Sequence, residues 1–283
     1  MRFITDKIID VTGRLLRKIP NVPGKHFYCK KLLKPVINRL DIEKTLEINS
    51  GSSKIICRLR DWIPWNIYLH GSYIVEEAYE KFMLSYCDQS KMIFDVGANI
   101  GYYTLQFAQK TDGHVYAFEP MYYQYNTLLK NIDINNLSNV YPIKQIVSDH
   151  AGKQRIYFSG MDNTAASSVV NQTDYYEDVP SVSLDKFCKE KNIEWIDLIK
   201  IDVEGYELHV LKGLSGMLES HKVKHLFIEI AEQHLQKAGD SSEELINYLK
   251  QFQYKGYSIK TGKPDEYELG NNESLVYFTD EIT

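Results

Sequence analysis

The sequence predicts an α/β protein, in which a Rossmann-like, doubly wound sheet follows an N-terminal extension of helices and a small β element. Two observations support this fold class. From Lys91 onward, short apolar runs typical of buried strands alternate with stretches of helical periodicity. The first of these runs, Met92–Val96, leads into a glycine-spaced turn, as expected where a strand of such a sheet meets its helix. We expect two domains, the extension over residues 1–70 and the main domain over residues 71–283.

Length and composition allow one large domain and an extension, because the chain has 283 residues and 43% of them are hydrophobic. No apolar run approaches the ~18 residues needed to cross a bilayer. Residues 1–20 carry charges throughout, unlike a signal peptide. We therefore expect a cytoplasmic protein. The four cysteines are scattered without a Cys-x-x-Cys pair, so reduced, structural thiols are expected.

The extension is basic although the whole chain is acidic. Residues 1–44 contain eleven Lys and Arg against four Asp and Glu, a surplus of 11 − 4 = +7, whereas the net charge of the chain is −5. Apolar residues at helical spacing predict an amphipathic helix with a basic face: Ile4, Ile8, Val11, Leu15 and Leu16. This helix could associate with an anionic membrane, form a homo-oligomer with a second subunit, or dock on its own domain.

Further along the chain, residues 45–59 predict a small hairpin, and a helix is expected from about residue 74 to 87. The sheet should then contain about seven strands: Met92–Val96, His114–Glu119, Val140–Val147, Ile196–Asp202, His225–Ile230, Tyr254–Lys260 and Ser274–Phe278. The predicted helices are Tyr102–Gln109, Tyr122–Asn131, Leu184–Lys191, Tyr206–Leu218 and Ser242–Gln251. The last two strands, joined by a polar loop, are expected to form an antiparallel hairpin at one edge.

Acidic residues mark the expected ligand crevice, because ligands of doubly wound sheets bind outside the carboxyl ends of the strands. Glu119 ends the second predicted strand, 24 residues after Asp95. A carboxylate there can accept two hydrogen bonds from a ribose diol.

Two cofactor classes use this layout, and the turn after the first strand separates them. A dinucleotide site needs Gly-x-Gly-x-x-Gly, whereas the sequence here is Asp95-x-Gly97-x-Asn99-x-Gly101. A carboxylate beside the turn would repel a pyrophosphate but suits the ammonium and sulfonium groups of S-adenosylmethionine. The sequence therefore favours S-adenosylmethionine.

Three motifs in order resemble the FkbM family of S-adenosylmethionine-dependent methyltransferases: Phe94–Thr104, Ala117–Pro120 and Ile199–Glu207. The resemblance covers about Tyr73 to Glu232 and implies the seven-stranded class I methyltransferase fold and O-methylation, often of sugars or natural products. It also implies roles for site residues. Asp95, Gly97, Asn99 and Gly101 would line the methionine end of the cofactor, Glu119 the ribose, and Ser148 and Asp149 the adenine.

A second chemical centre is expected where the fourth strand ends in Asp202 and Glu204, with Gly205 opening the next helix. Methyl transfer to a hydroxyl requires alignment of the acceptor oxygen and removal of its proton. Asp202 or Glu204 could act as the base or bind the acceptor, although a helix cap with a first-turn acid would show the same pattern.

Two further candidates follow the fifth strand. Glu229 ends that strand, and His234 has an unperturbed pKa of about 6.5, which suits proton removal near neutral pH. Together with Asp202 and Glu204, Glu229 could hold Mg²⁺ or Ca²⁺. A divalent metal therefore stays an open alternative and is not part of the predicted site.

The polar stretch 159–180 has little periodicity and predicts a loop that covers the acceptor pocket. Because the main domain lacks a basic, aromatic-interleaved patch, nucleic acid is not expected as a partner. We expect an O-methyltransferase whose small-molecule or glycan acceptor has a free hydroxyl, as on a glycan, glycolipid or natural product. The alternatives are a dinucleotide-dependent oxidoreductase and a non-catalytic S-adenosylmethionine-binding module for assembly or membrane docking.

Overall fold

The computed structural model describes residues 2–19, 23–48, 53–71, 77–158, 167–169, 173–259, 263–267 and 275–280, without the side chains of residues 2–6, 23, 24, 26, 167 and 168. The chain forms two compact units, Met1–Glu77 and Ala78–Thr283. Within the described residues, no helix combines the length and the apolar composition that a bilayer crossing requires.

The first unit is mainly helical and contains one hairpin. Its elements are α1 (Arg2–Lys18), α2 (Pro23–Tyr28), a π-helical turn (Cys29–Leu33), α3 (Lys34–Leu40), β1 (Glu43–Ile48), β2 (Ser53–Arg58) and α4 (Trp62–His70). The two strands pair antiparallel, with Glu43 opposite Arg58 and Ile48 opposite Ser53. This confirms the predicted hairpin.

Helix α1 packs against α4 through a face that differs from the predicted apolar stripe. Ile9, Gly13 and Leu16 are buried. The Tyr68 hydroxyl of α4 donates a hydrogen bond to the Ile9 carbonyl at 2.6 Å. A Cβ on Gly13 would lie 2.5 Å from the Tyr68 ring, so a glycine at this position permits the close approach.

Of the predicted apolar residues of α1, Leu16 is buried whereas Ile8, Val11 and Leu15 are exposed; the side chain of Ile4 lies outside the described residues. The helix itself is confirmed. The docked side includes the small residue Gly13, which a hydrophobicity pattern does not register.

The second unit begins within α5 (Glu77–Ser85) and alternates strands with helices. Its main elements are β3 (Met92–Val96), α6 (Tyr102–Lys110), β4 (His114–Phe118), α7 (Tyr122–Ile134), β5 (Val140–Ile143), β6 (Ile146–Val147), β7 (Gly152–Phe158), β8 (Ser167–Ser168), β9 (Tyr175–Val182), α8 (Leu184–Lys191), β10 (Ile196–Ile201), α9 (Glu207–Lys212), α10 (Ser215–Glu219), β11 (Val223–Glu229), α11 (Glu232–Ala238), α12 (Ser242–Gln251), β12 (Lys255–Ser258), β13 (Asp265–Glu266) and β14 (Leu275–Thr279).

The main sheet has the strand order β13-β12-β14-β11-β10-β3-β4-β5. The five strands from β11 to β5 are parallel, and β14, β12 and β13 are antiparallel to their neighbours. All seven predicted strands contribute to this sheet, and the doubly wound α/β fold is confirmed. The strand order reverses between β3 and β10, which places the ligand crevice beside their carboxyl ends.

The predicted hairpin of the last two strands is present as the antiparallel pair β12 and β14. One difference is that the polar loop between them contributes β13 at the edge of the sheet. The predicted helix Tyr206–Leu218 is also divided into α9 and α10. The two helices meet at Gly213 and Leu214, and a Cβ on Gly213 would lie 2.0 Å from the Ser148 carbonyl oxygen.

A second sheet, with the order β6-β9-β7-β8, corrects two further predictions. The third predicted strand, Val140–Val147, is divided between the two sheets as β5 and β6. The stretch 159–180 was expected to be a loop, but its last part belongs to β9, while 159–166 and 170–172 lie outside the described residues. The first residues of β9 are mostly exposed, so this strand lacks the apolar alternation by which half-buried strands are recognised.

Candidate active site

The glycine turn after β3 is shaped by left-handed backbone conformations. Gly97 has φ +85°, Asn99 φ +51° and Gly101 φ +95°. The N–H groups of Gly97 and Ala98 both donate to the Phe118 carbonyl, at 3.0 and 2.9 Å. Asparagine tolerates the left-handed region better than most residues, which accounts for Asn99 in the middle of the turn. The turn is thereby held against the end of β4.

Glu119 holds this turn from the adjacent loop. Its carboxylate is buried and accepts hydrogen bonds from the backbone N–H of Asn99 at 2.8 Å and of Met121 at 2.9 Å. Burial raises the pKa of Glu119 to about 7, although these two hydrogen bonds oppose the rise. Since each carboxylate oxygen offers more than one lone pair, Glu119 can still accept from a ligand.

Asp95 lies buried in β3 beside Lys200, its register partner in β10. The Thr104 hydroxyl of α6 donates to Asp95 Oδ2 at 2.5 Å. Burial raises the pKa of Asp95, and the Lys200 charge opposes that rise. Among the described residues, no hydrogen-bond donor meets Asp95 Oδ1, which is also buried. This oxygen is a free acceptor next to the glycine turn.

Lys200 lies between Asp95, beside the glycine turn, and Asp202, which follows β10. Its buried ammonium donates to Asp202 Oδ2 at 2.8 Å. Burial acts to raise the pKa of Asp202, but the charge and hydrogen bond of Lys200 outweigh it, so the pKa lies below its usual range. Asp202 is therefore a carboxylate at neutral pH.

Glu229 differs from Asp202 although both end neighbouring strands. Burial, and then the charge of the adjacent Asp202, raise the pKa of Glu229 well above its usual range. Glu229 therefore keeps its proton at neutral pH, and this carboxyl group shares a hydrogen bond with Asp202. Two acids at one sheet edge thus have opposite protonation states.

Glu204 and His234 form a partly exposed pair next to Asp202 and Glu229. His234 Nδ1 lies 3.0 Å from Glu204 Oε2, and the two side chains are 37% and 39% exposed. Burial, followed by the Asp202 charge, raises the pKa of Glu204 to about 7. Burial and then Lys237 lower the pKa of His234 below 6.5. Glu204 therefore changes protonation near neutral pH, and both side chains remain partly accessible to an acceptor.

Backbone geometry creates this pair. Glu204 has φ +57° and Gly205 φ +102°. A Cβ on Gly205 would lie 2.4 Å from the His234 carbonyl oxygen, so the loop after β10 can approach the start of α11 only with glycine at this position. The left-handed Glu204 is a strained conformation of the kind that clusters at functional sites.

Glu207 hydrogen-bonds to the loop between β10 and α9. Its buried Oε1 accepts hydrogen bonds from the backbone N–H of Val203 and of Gly205, both at 3.1 Å. Glu207 ends the sequence motif Ile199–Glu207, but the motif alone does not indicate what its side chain does. Lys200 and Thr104 were also missed, although a lysine within an otherwise apolar strand is a signal that could have identified Lys200.

Ser148 and Asp149 belong to a different network from the glycine turn. Ser148 Oγ donates to Asp149 Oδ1 at 2.9 Å and lies 3.4 Å from the Tyr206 hydroxyl. Asp149 Oδ2 lies 3.3 Å from His209 Nδ1. These partners come from β6, α9 and the loops beside them, so the structure does not bring Ser148 or Asp149 into hydrogen bonding with Glu119. Their assignment to adenine stays a prediction.

The open side of the cluster also has the composition of a cation site. Glu204, Glu229 and His234 offer ligand atoms within 4.8 Å of one another. Carboxylate oxygens with one imidazole suit several divalent cations. The Lys200 ammonium, which donates to Asp202, compensates part of the negative charge of these acids.

The second unit is a class I methyltransferase. Its defining features are the strand order, the glycine turn after β3 and the acids at the carboxyl ends of four parallel strands. The chain belongs to the FkbM methyltransferase family, since the model described as "Methyltransferase FkbM domain" matches residues 95–258. The chain is therefore an S-adenosylmethionine-dependent methyltransferase, and the resemblance seen in its motifs is confirmed. The oxidoreductase and the non-catalytic module are set aside.

The chain is also similar to individual proteins. The chain is 25% identical over 194 residues to "Hexuronic acid methyltransferase AglP" of Haloferax volcanii, and the match covers 69% of this chain and 76% of the relative. It is 24% identical over 221 residues to "Methyltransferase 1" of Beauveria bassiana, and the match covers 70% of this chain and 83% of the relative. Among solved structures, Methyltransferase FkbM from Methylobacillus flagellatus is 16% identical with a TM-score of 0.42, covering 76% of this chain and 52% of that one.

The residues present fit S-adenosylmethionine. The free Oδ1 of Asp95 suits an ammonium group, and the buried carboxylate of Glu119 suits a ribose diol. Gly97 and Gly101 have no Cβ, which lets the turn pack closely against the Asp202 carbonyl oxygen and the Leu128 side chain.

Proposed function

We propose that this methyltransferase transfers the methyl group of S-adenosylmethionine to a hydroxyl of a glycan, glycolipid or natural product. The observation that supports this most is the accessible Glu204 and His234 pair, 3.0 Å apart at the carboxyl ends of the strands. A hydroxyl must lose its proton as its oxygen attacks, and Glu204, whose pKa is raised to about 7, suits that task.

The charge of the site favours a hydroxyl over a carboxylate as acceptor. Asp202 and Glu204 place negative charge where the acceptor would bind, and this would repel an anionic oxygen. A carboxylate acceptor also has no proton to lose at neutral pH, so a base would have no purpose. The cluster is better matched to a reacting group that is neutral and donates a hydrogen bond.

Each residue has a proposed task. S-adenosylmethionine, when bound, supplies an electrophilic methyl group on a sulfonium. Asp95 and Glu119 would bind its ammonium and ribose, while Gly97, Asn99 and Gly101 shape the turn that lines it. Asp202 would accept a hydrogen bond from the acceptor, and the protonated Glu229 orients Asp202.

Glu204 would take the proton of the reacting hydroxyl, and His234 would hold the Glu204 carboxylate in place. Positioning of the acceptor by these groups supplies part of the rate enhancement, because a held hydroxyl reacts in an effectively unimolecular step.

The relative from Haloferax volcanii is named for a hexuronic acid, which supports a sugar acid or its glycosides as the first acceptors to try. Such a molecule carries both hydroxyls and a carboxyl group. It therefore distinguishes the two acceptor chemistries within one experiment.

We suggest incubating the full chain with S-adenosylmethionine labelled in its methyl group and a panel of neutral sugars, uronic acids and their glycosides. Mass spectrometry should detect the gain of one labelled methyl, and mild alkali should leave it in place because it is a methyl ether. Loss of the label in alkali would indicate a methyl ester and contradict the proposed hydroxyl. Glu204→Gln, assayed in parallel, should give at least a hundredfold less product.

A further inference from the structure

The exposed apolar side chains of this protein are concentrated in its first unit. Among the described residues, ten of the sixteen large hydrophobic side chains that are exposed belong to Met1–Glu77 and six to the longer Ala78–Thr283. Single exposed hydrophobic residues are normal on protein surfaces, but a concentration of them marks an interaction site.

Helix α1 and the residue after it present a row of exposed apolar side chains. Ile8, Val11, Leu15 and Ile19 are spaced by three or four residues, and their exposed fractions lie between 44 and 60%. The opposite side of the helix already packs on α4 through Ile9, Gly13 and Leu16. The exposed row is therefore not the side that attaches the helix to its own unit.

A second helical segment, from α2 through α3, shows the same division. It buries Cys29 and Ile37. On other sides it exposes Phe27, Leu32, Val36 and Leu40, with exposed fractions between 49 and 62%. Leu32, Val36 and Leu40 recur every four residues, so they lie along one side of the segment.

Basic side chains flank both apolar rows. Lys7, Arg14 and Lys18 are exposed on α1, at spacings that place them on a common face next to the apolar row. Lys30, Lys31 and Arg39 are exposed on the second segment. Two nearby acids are paired with bases, Asp10 with Lys44 at 3.0 Å and Asp41 with Arg60 at 3.3 Å. The surface is thus apolar and positively charged.

We propose that these two helical segments form a docking surface for an anionic lipid bilayer. We call it the basic apolar surface: the rows Ile8 to Ile19 and Phe27 to Leu40 with their flanking Lys and Arg. Apolar side chains would enter the boundary between headgroups and acyl chains while the basic groups contact lipid phosphates, as in interfacial helices. A surplus of +7 over residues 1–44 complements the negative surface potential of such a membrane.

The charge pattern favours a membrane over a second copy of the chain. Two copies that met through this surface would bring their basic rows together, and like charges in contact are unfavourable. An anionic membrane instead attracts every basic side chain of the surface. The inference does not depend on which acceptor the enzyme methylates.

Co-sedimentation of the full chain with vesicles tests this surface. Binding is expected to vesicles of phosphatidylcholine with phosphatidylglycerol, and at least tenfold weaker binding to phosphatidylcholine alone. The variant Val11→Ser/Leu15→Ser should bind the anionic vesicles at least tenfold more weakly, because its apolar row is interrupted. The matched variant Leu129→Ser/Trp195→Ser removes exposed apolar residues of the second unit and should bind like the wild type.

A charge variant separates the two contributions. Lys7→Glu/Arg14→Glu/Lys18→Glu should bind anionic vesicles at least tenfold more weakly, and added salt should weaken wild-type binding more than binding of this variant. Circular dichroism and S-adenosylmethionine affinity, which should match the wild type, would show that each variant is folded.

Three outcomes would overturn the proposal. One is equal affinity of the wild type and Val11→Ser/Leu15→Ser for anionic vesicles. Another is the absence of binding to either vesicle. The third is a wild-type dimer in analytical ultracentrifugation that Val11→Ser/Leu15→Ser converts to a monomer without any vesicle binding, which would assign the surface to self-association.

Discussion

Gly97 in the glycine turn after β3 lies directly against the backbone of Asp202: a Cβ at position 97 would be 1.8 Å from the Asp202 carbonyl oxygen. The two predicted centres are therefore joined at the point where the strand order reverses. The backbone N–H of Asp202 in turn donates to the Val96 carbonyl at 3.0 Å.

The first prediction isolates this close approach. Gly97 and Gly239 both have φ +85°, but a Cβ on Gly239 would have no atom within 4 Å. Gly239→Ala should lower the free energy of unfolding by about 1 to 2 kcal/mol, the cost of a left-handed alanine. Gly97→Ala should cost at least about 2 kcal/mol more, because overpacking adds to that strain. Urea unfolding measures both, and equal losses would contradict the role of the Asp202 carbonyl.

The second prediction concerns cofactor binding. Asp95→Asn and Glu119→Ala should each weaken S-adenosylmethionine binding at least tenfold, since hydrogen bonds to charged groups contribute about 1.5 to 3 kcal/mol. Isothermal titration calorimetry measures the affinity. The exposed Asp133 of α7 offers a control, and Asp133→Asn should bind like the wild type. Unchanged affinity in both site variants would remove Asp95 and Glu119 from the cofactor pocket.

The third prediction tests the proposed base. Glu204→Gln should lower kcat about 100-fold or more while S-adenosylmethionine affinity changes less than about twofold. Glu232→Gln is the control, because Glu232 lies near His234 in the chain but hydrogen-bonds to Gln236 and Ser242. An equal loss of turnover and cofactor affinity in Glu204→Gln would indicate a structural role.

The pH profile gives an independent reading of the same group. A base must be deprotonated to act, and the pKa of Glu204 is raised to about 7 by burial and then by Asp202. Activity of the wild type should therefore fall as the pH decreases through about 7. A profile that falls only near the ordinary pKa of a glutamate would contradict Glu204 as the base.

The fourth prediction concerns Glu207 and stability. Burial raises the pKa of Glu207 from 4.5 to about 7, opposed by the backbone N–H groups that it accepts from. The folded state therefore holds the Glu207 proton more tightly than the unfolded state does. Its contribution to stability is complete below pH 4.5 and is lost as the pH rises to about 7.

Glu207→Gln removes this titration and keeps an oxygen for Val203 and Gly205. As the pH rises from 4.5 to about 7, the free energy of unfolding of the variant should increase by up to about 3 kcal/mol relative to that of the wild type. Urea unfolding at a series of pH values measures the difference, and Glu219→Gln on the exposed end of α10 serves as control. A constant difference between Glu207→Gln and the wild type across this range would contradict the buried titration.

Much of the main sheet could be predicted because its signals are local. Short apolar strands, helical periodicity and glycine-spaced acids are each contained within a few residues. The errors concern features that local patterns do not mark: β9 is mostly exposed over its first residues, β13 has two residues, and the predicted helix Tyr206–Leu218 is interrupted at Gly213 and Leu214. None of these features appears in the periodicity of a single segment.

The candidate site shows the same division. The sequence placed Asp95, Glu119, Asp202 and Glu229 at strand ends, since strand boundaries and acidic residues are readable in order. It could not show that Lys200 pairs with Asp202, because that hydrogen bond depends on how the chain turns after β10. Nor could it show that His234 meets Glu204, thirty residues away.

By itself the sequence determined the fold class, the methyltransferase family and the acids at the carboxyl ends of the strands, because short-range patterns encode all three. Only the tertiary structure decided which acid is charged, which keeps its proton, and which side of α1 is exposed. Those properties depend on burial and on neighbours distant in the chain, and they arise when strands enter register and helices dock.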